Sequence, residues 1–462
     1  MKHRYKLATL TSLLCANAFA TPVYLPPGAN LTYGSSSNNQ SIMSSVANPA
    51  AGAAVLKRED NQYRAGLITI GGGYEVGNVN NLANEIDNTK ASLNTRNVSA
   101  KCDLTQSDTV IAQCVTDNFV IPVNGVLSSL QKDGNGSVFF GGHLPVMPLV
   151  VSKNKWGGSF VLDANASAIA NASFIKDDVP VVTSANVAAL INKTSGTYTP
   201  PTNNDSTLLV KAAVTSELGL GFSRSVLTRE ADTNTIGEMT ADKLKSGELT
   251  AGVRLKYYQV KLANKAQRQQ SATGNSQSTL KASQTYTSKS GIGLDVGALW
   301  TSRRYRAGAW VSNLNKPSFK YSKVDLTGLG YTNAAIINQL SATTTYEMKP
   351  QLQMEGAVFS ESQNFVINGT LDANAVPDAV GRDFQWMTLS AAYATNSWWI
   401  PGARVGYRSN RAGSKLSYLT GGLTLFKALS LDAAVSTDKV KDKNGKSAPR
   451  SAMLNLNLQM TF

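Results

Sequence analysis

The chain has 462 residues, of which 42% are hydrophobic and only 16% charged, with a formal net charge of +14. No stretch beyond Ala20 holds 18 consecutive apolar residues, so a membrane-spanning helix is not expected. The charge alone would admit nucleic acid, but no binding motif or basic-aromatic stripe accompanies it, so no specific nucleic-acid site is expected; basic loops suit phosphorylated lipopolysaccharide or a plain solvated surface alike.

Lys2, Arg4 and Lys6 precede a short apolar run from Leu7 to Leu14 and the small-x-small site Ala18-Phe19-Ala20. This predicts a secretory signal at 1–20, cleaved after Ala20. Leu14 before Cys15 does not fit a lipobox, so lipidation is not expected. Residues 21–62 are rich in Gly, Ala, Ser and Asn and contain Asn48-Pro49-Ala50. A disordered tail and a folded plug both suit that composition; the expectation carried forward is a plug, its Asn capping the local backbone and its Pro fixing φ.

Beyond this segment, alternation of apolar with small or polar residues predicts strands near 63–73, 137–152, 157–168, 208–226, 249–264, 289–300, 304–313, 349–359, 363–374, 384–396, 402–409, 416–426, 428–437 and 450–462. Pro145 and Pro148 interrupt the second. The last strand sets Leu454, Leu456, Leu458, Met460 and Phe462 on one face and Asn455, Asn457, Gln459 and Thr461 on the other. Charges fall on the small or polar face, with Lys211, Arg254, Lys256, Arg306, Arg404 and Arg408 against Asp163, Glu217, Asp295, Glu355, Asp372 and Asp432. A soluble sandwich would bury that face, where charges are costly. A membrane barrel turns it to the lumen and shows its apolar face to lipid.

The reading is an all-β chain: a transmembrane antiparallel β-barrel of about fourteen strands over 63–462, with an N-terminal plug and a helical outer loop. Both ends on the periplasmic side would leave short turns there and long polar loops outside, with only 227–248 breaking the rule and Trp398 and Trp399 at an inner turn. The outer loop 74–136 shows helical spacing near 79–94 and 122–131. Between them Cys102 and Cys114, on an oxidising route, are expected to form a disulfide, worth roughly 3 kcal/mol to so short a loop. The sixfold balance of lumen charges predicts interior ion pairs rather than a pore selective for one sign.

Asn48-Pro49-Ala50 before the first strand is similar to the hatch motif of FadL-type hydrophobic-compound channels, which are fourteen-stranded barrels with an N-terminal plug. The body resembles the outer-membrane TraF-like family more closely. That resemblance rests on Glu217-Leu218-Gly219-Leu220-Gly221-Phe222, Ala251-Gly252-Val253-Arg254-Leu255-Lys256-Tyr257, Gly293-Leu294-Asp295-Val296-Gly297-Ala298, Lys349-Pro350-Gln351-Leu352 and Ala403-Arg404-Val405-Gly406-Tyr407-Arg408. A thioredoxin-like periplasmic protein shares the TraF label, but no Cys-x-x-Cys is present here. The polar, basic loops depart from FadL, with no greasy cleft motif in sight.

After Ala20 the one histidine is His143, and Gly-x-Ser-x-Gly, P-loop, dinucleotide, zinc and haem motifs are missing. No catalytic residue, metal or cofactor is expected, and His143 reads as structural. The resemblance implies a gated conduit for small or hydrophobic solutes; the alternative is an envelope component serving conjugal DNA transfer through a partner protein. Either would sit integrally in the outer membrane of a Gram-negative bacterium. Lipid, lipopolysaccharide and, through the C-terminal strand, the barrel assembly machinery are the expected partners.

Overall fold

The computed structural model describes residues 25–461 apart from 39–40, 56–61, 81, 95–96, 154–156, 200–203, 230–245, 269–282, 325, 327–328, 343, 395–397 and 442–444. Residues 1–20, expected to be a secretory signal, the terminal Phe462 and most of the 227–248 connection lie outside the described residues.

Fourteen strands form one antiparallel meander. They are β1 (Gln62–Val76), β2 (in two halves, Gly136–His143 and Leu149–Lys153), β3 (Gly158–Ile175), β4 (Thr207–Arg229), β5 (Gly247–Arg268), β6 (Ser283–Thr301) and β7 (Tyr305–Ser312). Then follow β8 (Gln351–Phe359), β9 (Phe365–Asp372), β10 (Trp386–Tyr393), β11 (Gly402–Asn410), β12 (Ser417–Leu425), β13 (Leu429–Ser436) and β14 (Ser451–Thr461). Each pairs with its neighbours in chain order. β14 pairs back onto β1, from Arg64 opposite Thr461 to Glu75 opposite Ser451, so the sheet closes into a barrel with no free edge.

Alternation becomes an inside-out protein. Leu218, Leu220, Val253, Leu255, Ile367, Leu389, Val405, Leu419 and Leu454 are exposed on the outer wall, while Glu217, Arg254, Asp295, Asn368, Thr388, Arg404 and Asn455 are buried inside. Trp398 and Trp399 are exposed at a short turn.

β2 is a single strand with a break. Both halves run antiparallel to β1 and β3. On β1, Thr69 faces His143 and Ala65 faces Leu149. Five residues, 144–148, therefore oppose three, and the surplus bulges out of the ladder. The prolines end one half, and the same strand resumes beyond them.

The long-loop end carries a helical cap. α1 (Asn30–Tyr33), α2 (Ser44–Ala47) and α3 (Gly52–Val55) belong to the N-terminal segment. In the cap, α4 (Leu82–Asn94) lies within the stretch expected from sequence, but α5 (Asp108–Val115) was not foreseen, and a π-helical turn, Thr116–Val120, joins it to α6 (Ile121–Asp133). Pro122 is tolerated because it sits at the start of α6. The continuous run Asp108–Asp133 is, among the described residues, the one helix long and apolar enough to cross a membrane. Its inner side packs instead on the cap, with Ile111, Val115, Phe119 and Val120 against Val182, Val187, Ile191 and Tyr198. Cys102 and Cys114 are joined by a disulfide that pins this helix to the preceding loop.

Candidate functional site

Residues 25–38 and 41–55 lie within the barrel. α1 touches β10, β11, β12 and β13, and the 3-10 turn Pro49–Ala51 touches β4, β5 and β6, so the segment crosses the lumen from one wall to the other. Leu31, Ile42, Met43, Ala50 and Ala51 are fully buried. Polar side chains of the wall hold its backbone. Asn455 donates to the Pro26 carbonyl at 2.7 Å, Asn368 to the Tyr33 carbonyl at 2.7 Å and Arg254 to the Val46 carbonyl at 2.5 Å. The Gln459 side chain accepts from the Ile42 N–H at 2.9 Å, and Thr32 donates to Asp432 at 2.6 Å.

Glu355 is the densest of these anchors. It accepts from the Ser37 N–H, from the Ser37 hydroxyl at 2.5 Å and from the Asn48 amide at 3.0 Å, while Arg306 donates to the Ser37 carbonyl. Asn48 also accepts the Ala50 N–H at 2.9 Å and so caps the turn that Pro49 begins. That turn rests on a flat place in the wall where Gly252 of β5 pairs with Gly297 of β6. A Cβ on Gly252 would lie 2.2 Å from the Pro49 carbonyl oxygen, and one on Gly297 2.4 Å from the Asn48 side-chain oxygen.

Of the sequence-assigned lumen charges, Glu217, Arg254, Lys256, Asp295, Glu355, Asp372, Arg404, Arg408 and Asp432 are buried. Lys211 is half-buried and stands 5.5 Å over the Tyr321 ring. Most are neutralised in place. Arg254 reaches Glu217 at 2.6 Å and Asp163 at 2.8 Å, Lys256 reaches Asp295 at 2.8 Å, and Arg404 binds Asp432 through Nε at 2.8 Å. His143 joins the first group, its Nδ1 2.7 Å from Asp163. Among the described residues no group of His, Cys, Asp and Glu is placed to hold a metal ion.

A family described as "F plasmid transfer operon, TraF, protein" matches residues 45–372. The chain belongs to this TraF family. No curated relative matches it. Among solved structures, a Pseudomonas aeruginosa FadL homologue is 12% identical, with 97% of this chain and 98% of that one covered at a TM-score of 0.38. The Pseudomonas putida toluene transporter TodX is 12% identical, with 94% and 96% covered at a TM-score of 0.39. Such scores add nothing to what the strand ladder shows directly.

In this TraF-family chain the resemblance motifs fall around the plug. Gly252 and Gly297 receive the Asn48-Pro49 turn, and Glu217, Arg254 and Asp295 belong to the adjoining ion pairs. Sequence reasoning found no greasy cleft motif, and it did not foresee a buried aromatic layer. Tyr258, Phe319, Tyr346, Phe384, Trp386 and Tyr418 are buried together toward the long-loop end. They come from five separate parts of the chain, so no contiguous motif announces them.

The loop between β9 and β10 closes over this layer. Asp378, Ala379 and Val380 are buried, the Tyr321 hydroxyl donates to the Ala379 carbonyl, and Arg382 pairs with Glu75 on β1. Burial pushes the Asp378 carboxyl up to about 6, against the opposing pull of the Arg382 and Val380 N–H groups and the Arg382 charge. Between plug and loops remains a cavity of ≈ 170 Å³, lined among others by Pro27, Asn30, Tyr258, Met348, Trp386 and Arg408.

Proposed function

We propose that this chain is an integral outer-membrane barrel that acts as a gated conduit for small solutes, held shut here by residues 25–38 and 41–55. The plug's attachment carries the reading. It is held to the wall by hydrogen bonds and small apolar contacts, each replaceable by water or by a passing solute, and it borders a cavity instead of filling the lumen. The exposed apolar wall supports the membrane assignment. The β2 break supports the conduit, because residues 144–148 leave the ladder and interrupt the wall beside His143, which Leu25 and Pro27 approach. Lysines of the outer loops, such as Lys439 and Lys441, suit lipopolysaccharide phosphates, and β14 suits recognition by the barrel assembly machinery.

The family description favours a second reading, an envelope component serving conjugal DNA transfer. Under it the stapled cap is the working surface, with Val110, Ile121 and Val181 exposed for a partner. Proteoliposomes separate the two. A conduit passes a graded series of small polar and apolar solutes; a scaffold stays tight to all of them, while cap deletions abolish DNA transfer between cells.

A further inference from the structure

We propose that the cavity between plug and loops binds a small carboxylate with an apolar body, its charge held by Arg408 and Thr388. This deepens the conduit reading by naming the class of solute, and it rests on that reading only for transport, not for binding.

Arg408 is the least satisfied of the buried lumen arginines. It is 1% exposed and its guanidinium lies 3.7 Å over the Trp386 ring, yet among the described residues both Nε and Nη1 lack a hydrogen-bond partner, where Arg254 and Arg306 lack one for Nε only. Arg254 and Lys256 have carboxylates within 2.8 Å, and Arg404 has Asp432. Arg408 has none at ion-pair distance among the described residues. Asp372 is the acid nearest in role, but its oxygens are already taken by the Trp386 N–H at 2.7 Å, Gln353 at 2.8 Å and Gln351 at 3.0 Å. Directly across the strand pair from Arg408 stands Thr388, 2% exposed, whose hydroxyl also lacks a partner among the described residues.

Both residues line the same cavity. A buried cation is under-compensated when its nearby acid, Asp372, is out of ion-pair distance and hydrogen-bonded elsewhere, and a buried hydroxyl without a partner is unfavourable too. One anion placed in the cavity answers both. The other acids of the cavity wall, Glu217 and Asp295, are neutralised by Arg254 and Lys256 and do not repel it. The lining is mixed, with Gln351, Gln353 and Thr370 polar, and Tyr258, Met348 and Trp386 supply the apolar surface on which one ring can lie. A volume of ≈ 170 Å³ admits one ring.

Isothermal titration of the detergent-purified full chain tests this, with benzoate as probe, benzamide as its neutral match and inorganic phosphate as an anion without an apolar body. Benzoate should bind at least about tenfold more tightly than either, the ratio expected of one charge-assisted contact. Arg408→Gln should bring benzoate down to the benzamide level, Arg408→Lys should restore part of the difference, and Thr388→Val should weaken benzoate alone. Heat-modifiable migration on gels verifies that each variant is folded; should Arg408→Gln not fold, the benzoate–benzamide ratio of the native chain still decides. Equal binding of benzoate and benzamide, no binding of benzoate, or tighter binding of phosphate overturns the proposal. Benzoate binding without flux in proteoliposomes would retain the site and remove the conduit; flux of other solutes without benzoate binding would do the reverse.

Discussion

Replacing Glu355 by Ala should undock the plug without unfolding the barrel. Glu355 is 7% exposed, and the hydrogen bonds it accepts all come from plug residues, Ser37 and Asn48. Hydrogen bonds to a charged group are each worth about 1.5–3 kcal/mol, and losing the acid also strips Arg306 of its nearby counter-charge. The three contacts share one carboxylate and water will fill part of the space, so they do not add; a net loss of about 3–4 kcal/mol is expected. That raises the undocked fraction roughly 10²–10³-fold. Hydrogen exchange read by mass spectrometry on peptides covering 25–38 and 41–55 measures it, with β10–β13 as internal reference. Glu355→Gln keeps one acceptor and should show a smaller effect, about tenfold. Unchanged protection of the plug would refute the reasoning. Equal loss across plug and strands would show that Glu355 supports the barrel rather than the plug.

Gly252→Val places a side chain where a Cβ already comes within 2.2 Å of the Pro49 carbonyl, so the Asn48-Pro49-Ala50 turn must lift; thiol labelling of a Ser45→Cys reporter should accelerate, and an unchanged rate would contradict the close packing. Asp378 links the β9–β10 loop to pH. Its folded value, about 6, lies above the ordinary 3.8, so its contribution to loop closure is fully present below about 3.8 and is lost as pH rises through about 6. Loop exchange, corrected for intrinsic rate, should therefore be slower at acidic than at neutral pH, by an equilibrium difference on the order of 3 kcal/mol, and Asp378→Asn should remove the dependence. Replacing Cys102 and Cys114 together by Ser should cost the cap roughly 3 kcal/mol, seen as protease cleavage within 98–120, while the barrel's heat-modifiable migration is untouched.

The wall was legible because it demands only a period of two and a preference for which face bears charge; β5 keeps the period throughout, with Arg254 and Lys256 inside, although beyond Tyr258 the faces swap, Val260 and Leu262 being buried and Lys261 exposed. Which charges meet was not legible. Lys256 and Asp295 sit on adjacent strands, and nothing local fixes the register that brings them together. The aromatic layer escaped for the same reason, since Tyr258 and Tyr418 share it from opposite parts of the chain. The two prolines of β2 marked a break correctly, but period alone does not say that a strand resumes in the same direction. Helix α5 was missed although its signal was present, since Ile111, Val115 and Phe119 recur every four residues on one face. Arg408 was placed on the inner face by alternation, while its lack of a partner depends on how Trp386, Gln351 and Gln353 occupy Asp372, which is tertiary information.

Single-channel recording in planar bilayers, comparing the full chain with one lacking residues 21–62, tests the conduit most directly. The full chain should rest closed with rare openings, and the deletion should give a large, steady conductance. Equal conductance of the two, or two silent barrels that both migrate as folded, would contradict the account and leave the envelope-component reading in its place.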